Sequence, residues 1–62
     1  MALMDEATAR QVAVNDLKGM RYKVGAILND LYDSAPGYAG EVESVEEAID
    51  TAIKVLSGEP VE

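Results

Sequence analysis

Two stretches of helical apolar spacing, one on either side of Pro36-Gly37, most constrain what this chain can fold into. In the longer stretch the spacing is 4-3-4-3-4, which places the apolar residues on one helical face, close to the pattern of a bundle seam. That set comprises Ala13, Leu17, Met20, Val24, Ile27 and Leu31. The shorter stretch has 4-3-4 spacing, through Val45, Ile49, Ala52 and Leu56. The sequence therefore predicts an all-α fold, a helical hairpin that forms one small domain over residues 1–62.

The first helix is predicted to run over about residues 5–34. Asp5 suits its first turn, because acidic side chains are favoured at a helix N-terminus. Ala35 precedes proline, a position that disfavours helix, so the helix is expected to stop near Ser34. Gly19 leaves two alternatives open, since it can bend a continuous helix or follow the end of a shorter one.

The second helix is predicted to run over about residues 45–57. Ser44 and Glu47 have the spacing of a capping box, with Ser44 as the N-cap. Gly58 is typical of the position just past a helix C-terminus. The remaining segments are predicted to be a Pro/Gly loop at 35–43 and a frayed acidic tail at 59–62.

The chain is too short to bury its apolar stripes alone. A domain of about 60 residues buries only about 60% of its unfolded surface, and this chain has no cysteine for a disulfide. A first helix of about 45 Å would also outreach a second helix of about 20 Å, leaving Ala9, Val12, Ala13 and Leu17 uncovered. Either a third helix forms by a bend at Gly19, or another subunit covers the overhang. The second route is commoner for small chains, so we predict a homo-oligomeric helix bundle, with a dimeric four-helix bundle as its simplest form.

The composition excludes several classes of function. The chain has no cysteine and no histidine, which excludes Cys/His zinc sites and catalysis by thiolate or imidazole. We therefore expect no enzyme activity, no cofactor and no metal. A formal net charge of -7 opposes binding to duplex nucleic acid. No apolar run is long enough for a membrane span, and the acidic start lacks the basic region of a signal peptide, so a cytoplasmic location is expected.

Four of the five basic residues lie in one short segment with a single acid. The candidate ligand-binding residues there are Tyr22, Arg21, Lys23, Lys18 and Arg10, with Arg10 contributed by another subunit. Guanidinium and ammonium groups neutralise phosphate oxygens, and a tyrosine ring can stack on a base. The segment predicts a site for a small anionic ligand at a subunit interface, and solvated cations that balance neighbouring acids are the alternative.

Acidic residues surround the start of the second helix. The candidate partner-binding residues among them are Glu43, Glu46, Glu47 and Asp50. Acids at this place stabilise a helix N-terminus and keep an amphipathic helix soluble. The alternative is an acidic surface that docks on a basic groove, in the manner of a nucleic-acid mimic.

Three features follow one another near the middle of the chain. The first helix ends in Ile-Leu-Asn-Asp-Leu at 27–31, and a turn proline follows at position 36. The second helix then opens with Ser-Val-Glu-Glu-Ala-Ile at 44–49, which contains a Glu-Glu-Ala motif. This arrangement resembles the phage helical-hairpin family that sequesters bacterial immune signalling nucleotides, the anti-CBASS and anti-Thoeris sponges. The resemblance implies an oligomeric phage accessory protein that captures a cyclic nucleotide or an ADP-ribose derivative in immune evasion. The chain departs from that family at two places. The family usually has a basic residue soon after the proline, where this chain has Gly37-Tyr38, and often an aromatic residue in the middle of the second helix, where this chain has Asp50-Thr51.

The sequence thus predicts a small non-enzymatic binding protein that sequesters an anionic signalling nucleotide at a subunit interface. An acidic protein-protein inhibitor and a purely structural oligomerisation module are the two alternatives.

Overall fold

The computed structural model describes residues 4–58, and within them every regular element is helical. Helix α1 spans Glu6–Ser34, a turn of 3-10 helix spans Pro36–Tyr38, and helix α2 spans Ala39–Leu56. The turn folds α2 back along α1, so the predicted helical hairpin is confirmed. Neither helix has the length and apolar character that a membrane span requires. The predicted tail at 59–62 lies outside the described residues.

Helix α1 begins at a side-chain cap and continues without a break to the turn. The backbone N–H of Thr8 donates to Asp5 Oδ1 at 2.7 Å, which holds the pKa of that carboxyl below its ordinary value. At the other end the N–H of Ala35 donates to the carbonyl of Leu31 at 2.7 Å. The helix runs through Gly19, so the alternative in which it ends there is wrong.

Helix α2 begins at Ala39, and not near Val45 as predicted. Ser44 lies inside the helix, where its Oγ donates to the carbonyl of Gly40 at 3.3 Å, so no capping box forms. The predicted loop at 35–43 is reduced to a short turn. Ala39 is buried in the hairpin, and tertiary packing of this kind outweighs the local preference of serine for an N-cap.

The two helices meet along a seam of buried and half-buried residues. On α1 the seam consists of Val14, Leu17, Arg21, Val24, Leu28 and Leu31. On α2 it consists of Ala39, Val42, Glu46, Ile49, Ile53 and Leu56. Among the described residues only four hydrophobic residues are buried, namely Val14, Leu28, Ala39 and Ile49. The interior of one hairpin is therefore a single row of side chains from each helix.

The α1 seam is turned by one residue from the predicted stripe. Three residues belong to both, namely Leu17, Val24 and Leu31. Met20 and Ile27 do not, and they are 53% and 48% exposed. Arg21 and Leu28 occupy the seam in their place. The apolar spacing predicted the wrong residues because it considers only apolar side chains. In the structure the charged Arg21 lies in the seam, where it pairs with acidic residues of α2.

The overhang of α1 is shorter than predicted, because α2 starts directly after the turn and reaches farther along α1. Ala9 and Val12 are exposed, as predicted. Arg10 Nε donates to the carbonyl of Leu56 at 3.2 Å, so the end of α2 lies level with Arg10. Val14 is buried and Leu17 is half-buried. The overhang is therefore too short to be the main reason for another subunit.

Candidate functional site

An arginine with two acidic partners lies within the seam. Arg21 Nη1 is 3.1 Å from Glu46 Oε2, and Arg21 Nε donates to Asp50 Oδ1 at 3.0 Å. Glu46 occupies the seam position on α2 and Asp50 lies beside it. We call these three residues the Arg21 triad. It ties the middle of α1 to α2 through charge-assisted hydrogen bonds, which are stronger than neutral ones.

A tyrosine contact marks the same side of the hairpin. The hydroxyl of Tyr32 donates to Glu43 Oε2. This hydrogen bond raises the pKa of Tyr32, and desolvation and the charges of Glu43 and Glu46 add to the shift. Because Tyr32, Glu43 and Asp50 all lie on this side of the seam, we call this broad side of the hairpin the polar face.

A groove of about 400 Å³ opens on the polar face. Its lining includes Tyr22, Gly25, Asn29 and Tyr32 of α1 and Glu46 of α2. Tyr22 and Tyr32 lie before and after Gly25 along α1, and Arg21 Nη1 lies 3.6 Å from where a Cβ at Gly25 would be. The groove is shallow and offers stacking and amide contacts, but its nearest cation, Arg21, is already paired with two carboxylates.

The five candidate ligand-binding residues do not converge within a single chain. Arg21 belongs to the triad, and Arg10 pairs with Glu6 at 3.2 Å. Lys23 borders a separate depression with Asp16 and Met20. Neighbours in a helix diverge because each residue turns the chain by about 100° around the axis.

Two of the five do share a flank. Lys18 lies one turn before Tyr22, and Tyr22 is 80% exposed. Within the described residues, neither Lys18 nor Lys23 forms an ion pair.

The four candidate partner-binding acids are also largely occupied. Glu46 and Asp50 bind Arg21, and Glu43 accepts the Tyr32 hydroxyl. Glu47 points outward and is exposed. Three of the four carboxylates thus hold the two helices together and do not form a free acidic surface.

The opposite broad side carries exposed aliphatic residues. Met20 and Ile27 of α1 are 53% and 48% exposed, and Val45 and Val55 of α2 are 48% and 57% exposed. Ala48 and Ala52 lie between the two valines at 3-4-3 helical spacing. We call these six residues the apolar face.

The contacts of the polar face fix the side on which this apolar face lies. Tyr32 of α1 and Glu43 of α2 flank the seam on the polar side, because they touch each other. Ile27 precedes the seam residue Leu28, and Val45 precedes Glu46, so each lies on the other flank of its helix. The hairpin therefore has two unlike broad faces, one bearing ion pairs and one bearing aliphatic side chains.

The sequence reasoning missed this division, although a signal for it was present. Ala13, Met20 and Ile27 repeat every seven residues, and Val14 and Leu28, fourteen residues apart, lie one position after Ala13 and Ile27. Two adjacent sets of apolar residues on one helix indicate two surfaces to cover, whereas a single apolar stripe was predicted.

No protein family model matches the chain, and no curated protein or solved structure shows significant similarity to it. The resemblance to the phage hairpins therefore stays a prediction from the residues quoted above. Among residues 4–58, no group of three or more acidic side chains is arranged to hold a metal ion.

Proposed function

We propose that this chain is a non-enzymatic protein-interaction module that docks through its apolar face on a helical partner surface. The observation that carries the proposal is the exposure of Met20, Ile27, Val45 and Val55 on one broad side of the hairpin. Contiguous exposed aliphatic surface of this kind marks interaction sites in small folded proteins.

The energetics support the same function. Full burial of a valine, isoleucine or methionine side chain contributes about 1.5–3 kcal/mol. Since these four side chains are about half exposed, covering them recovers on the order of 1 kcal/mol each. The four buried residues of the seam provide little stability for a chain of this size, so a covered apolar face would add a large share of the total.

Single-cysteine labelling tests this function without knowing the partner, because the chain has no cysteine of its own. Ile27→Cys places a thiol on the apolar face, and Asn29→Cys places one two residues away on the polar face. The test uses cells that make the protein at its natural level. There we expect Ile27→Cys to react with a thiol reagent at least about tenfold more slowly than Asn29→Cys, because an interface would bury the thiol at position 27.

The labelling experiment has an internal reference. After denaturation both variants should react at the same rate, which shows that the difference arises from the folded state. Equal labelling of the two variants in the folded protein would rule out a docked apolar face.

A second proposed function is capture of an anionic signalling nucleotide, as the resemblance to phage sponges implies. It is supported by Lys18 and Tyr22, which share a flank, and by the lack of an ion pair to Lys18 within the described residues. Because one chain does not gather the five candidate residues, copies would have to combine them at an interface.

Calorimetry tests the capture function. Titration with a cyclic dinucleotide, a cyclic trinucleotide and ADP-ribose should give saturable heat with one of them, and Lys18→Glu should abolish it. No heat with any of the three would contradict nucleotide capture.

A further inference from the structure

We propose that the partner on the apolar face is a second copy of this chain, packed so that the two α1 helices run antiparallel across a symmetric interface. This inference rests on the proposed function and names its partner. Three features support it: the area of the face, its side chains and the charges along its edge.

The area suits a stable dimer. The hairpin measures about 45 Å by 26 Å by 15 Å, so its broad side is the one spanned by the two longer dimensions. A copy that covers most of this side approaches the roughly 800 Å² per partner that a standard protein-protein interface buries.

The side chains of the apolar face suit a copy better than an unrelated protein. The face holds valine, isoleucine, methionine and alanine, and it lacks the tryptophan, tyrosine and arginine anchors on which transient complexes depend. On α2 the large Val45 and Val55 bracket the small Ala48 and Ala52. Ridges and hollows on the same patch let two copies interlock, which a symmetric interface requires.

The charges along the edge of the face favour the antiparallel arrangement. Asp16, Lys23 and Asp30 follow one another at intervals of seven residues on α1, beside Met20 and Ile27. Lys23 has no ion pair within the part of the chain that the structure describes. Antiparallel α1 helices whose two-fold axis lies midway between residues 16 and 23, or between 23 and 30, bring Lys23 beside Asp16 or Asp30 of the partner subunit. Parallel helices in register oppose like charges.

Sedimentation equilibrium tests the partner. The purified wild-type chain should be dimeric at micromolar concentration, and Ile27→Glu should weaken the dimer at least about tenfold, because a charge replaces a buried aliphatic group. Asn29→Glu adds the same charge on the polar face and should leave the dimer intact. A wild-type chain that stays monomeric over the whole range, or an Ile27→Glu variant that stays dimeric, overturns the inference.

Mixing with a charge-inverted variant tests the orientation and leaves the aliphatic residues unchanged. The variant carries Asp16→Lys, Lys23→Glu and Asp30→Lys. Antiparallel pairing predicts that it dimerises with itself but not with the wild type, since mixed dimers would oppose like charges. Native mass spectrometry that shows an excess of mixed dimers would contradict the antiparallel arrangement.

The two proposals fail separately. If the purified chain is monomeric while Ile27→Cys stays protected in cells, the partner is a different protein and the interaction function holds. If the purified chain is monomeric and Ile27→Cys is not protected, both proposals are wrong.

Discussion

Gly19 and Gly58 differ in backbone conformation, because Gly19 is helical and Gly58 has a positive φ. Gly19 lies in the interior of α1, where an added Cβ would meet nothing within 4 Å. Gly58 follows α2 with φ at +80°, a region in which other residues are strained. The first position has no structural need for glycine in a single hairpin, and the second one does.

Gly19→Ala should therefore stabilise the protein by about 1 kcal/mol through helix propensity. Gly58→Ala should destabilise it by about 1 kcal/mol through backbone strain. Urea unfolding followed by circular dichroism measures both. If Gly19→Ala is destabilising, another chain or molecule packs against Gly19 that is not part of the single hairpin.

Tyr32 can be followed directly by its ionisation. Its hydrogen bond to Glu43 raises its pKa, so part of the tyrosinate absorbance should develop late in an alkaline titration. Tyr32→Phe should remove that late part. Because the folded pKa is the higher one, the hydrogen bond contributes stability below the ordinary tyrosine pKa of about 10, and this stability is lost as pH rises through the folded value. If Tyr32→Phe removes an early part of the titration, the contact with Glu43 is wrong.

At the level of the helices, the sequence predicted that two helices form and where α1 begins and ends, but not how they face each other. Asp5 and the residue before Pro36 are local signals, and the bounds of α1 follow them closely. The start of α2 depends on burial of Ala39, which a local motif at Ser44 does not reveal. The face that α1 turns toward α2 depends on ion pairs between Arg21 and acidic residues more than twenty positions away in sequence. The spacing of apolar residues does not reveal these ion pairs.

The Arg21 triad gives a prediction about the seam. Arg21→Met leaves two carboxylates without a cation and should cost about 1 kcal/mol near neutral pH, less than for a fully buried pair because the triad is part-exposed. Replacing Glu46 as well, in the double variant Arg21→Met/Glu46→Met, makes an apolar layer and should restore wild-type stability. Urea unfolding compares the three proteins. A double variant less stable than Arg21→Met alone would show that the triad is not the reason for the loss.

For the whole molecule, length and composition predicted that copies cooperate, and self-association stays a proposal that now rests on a different surface. The expected overhang of α1 is reduced to about its first turn, since α2 reaches Arg10. What remains uncovered is the apolar face, including Ile27 and Val45. The residues of the predicted anionic site do not meet within one chain. Arg21, Tyr22 and Lys23 are adjacent in sequence, so they point to different sides of one helix.

Thermal unfolding at several protein concentrations tests most directly whether this surface is covered by a copy of the chain. A dimer loses its partner on unfolding, so its midpoint temperature depends on concentration by mass action. We predict that Tm rises steadily from about 1 µM to about 100 µM protein, and that Ile27→Glu removes this rise. A wild-type chain that melts at one temperature across the whole range would contradict self-association through the apolar face.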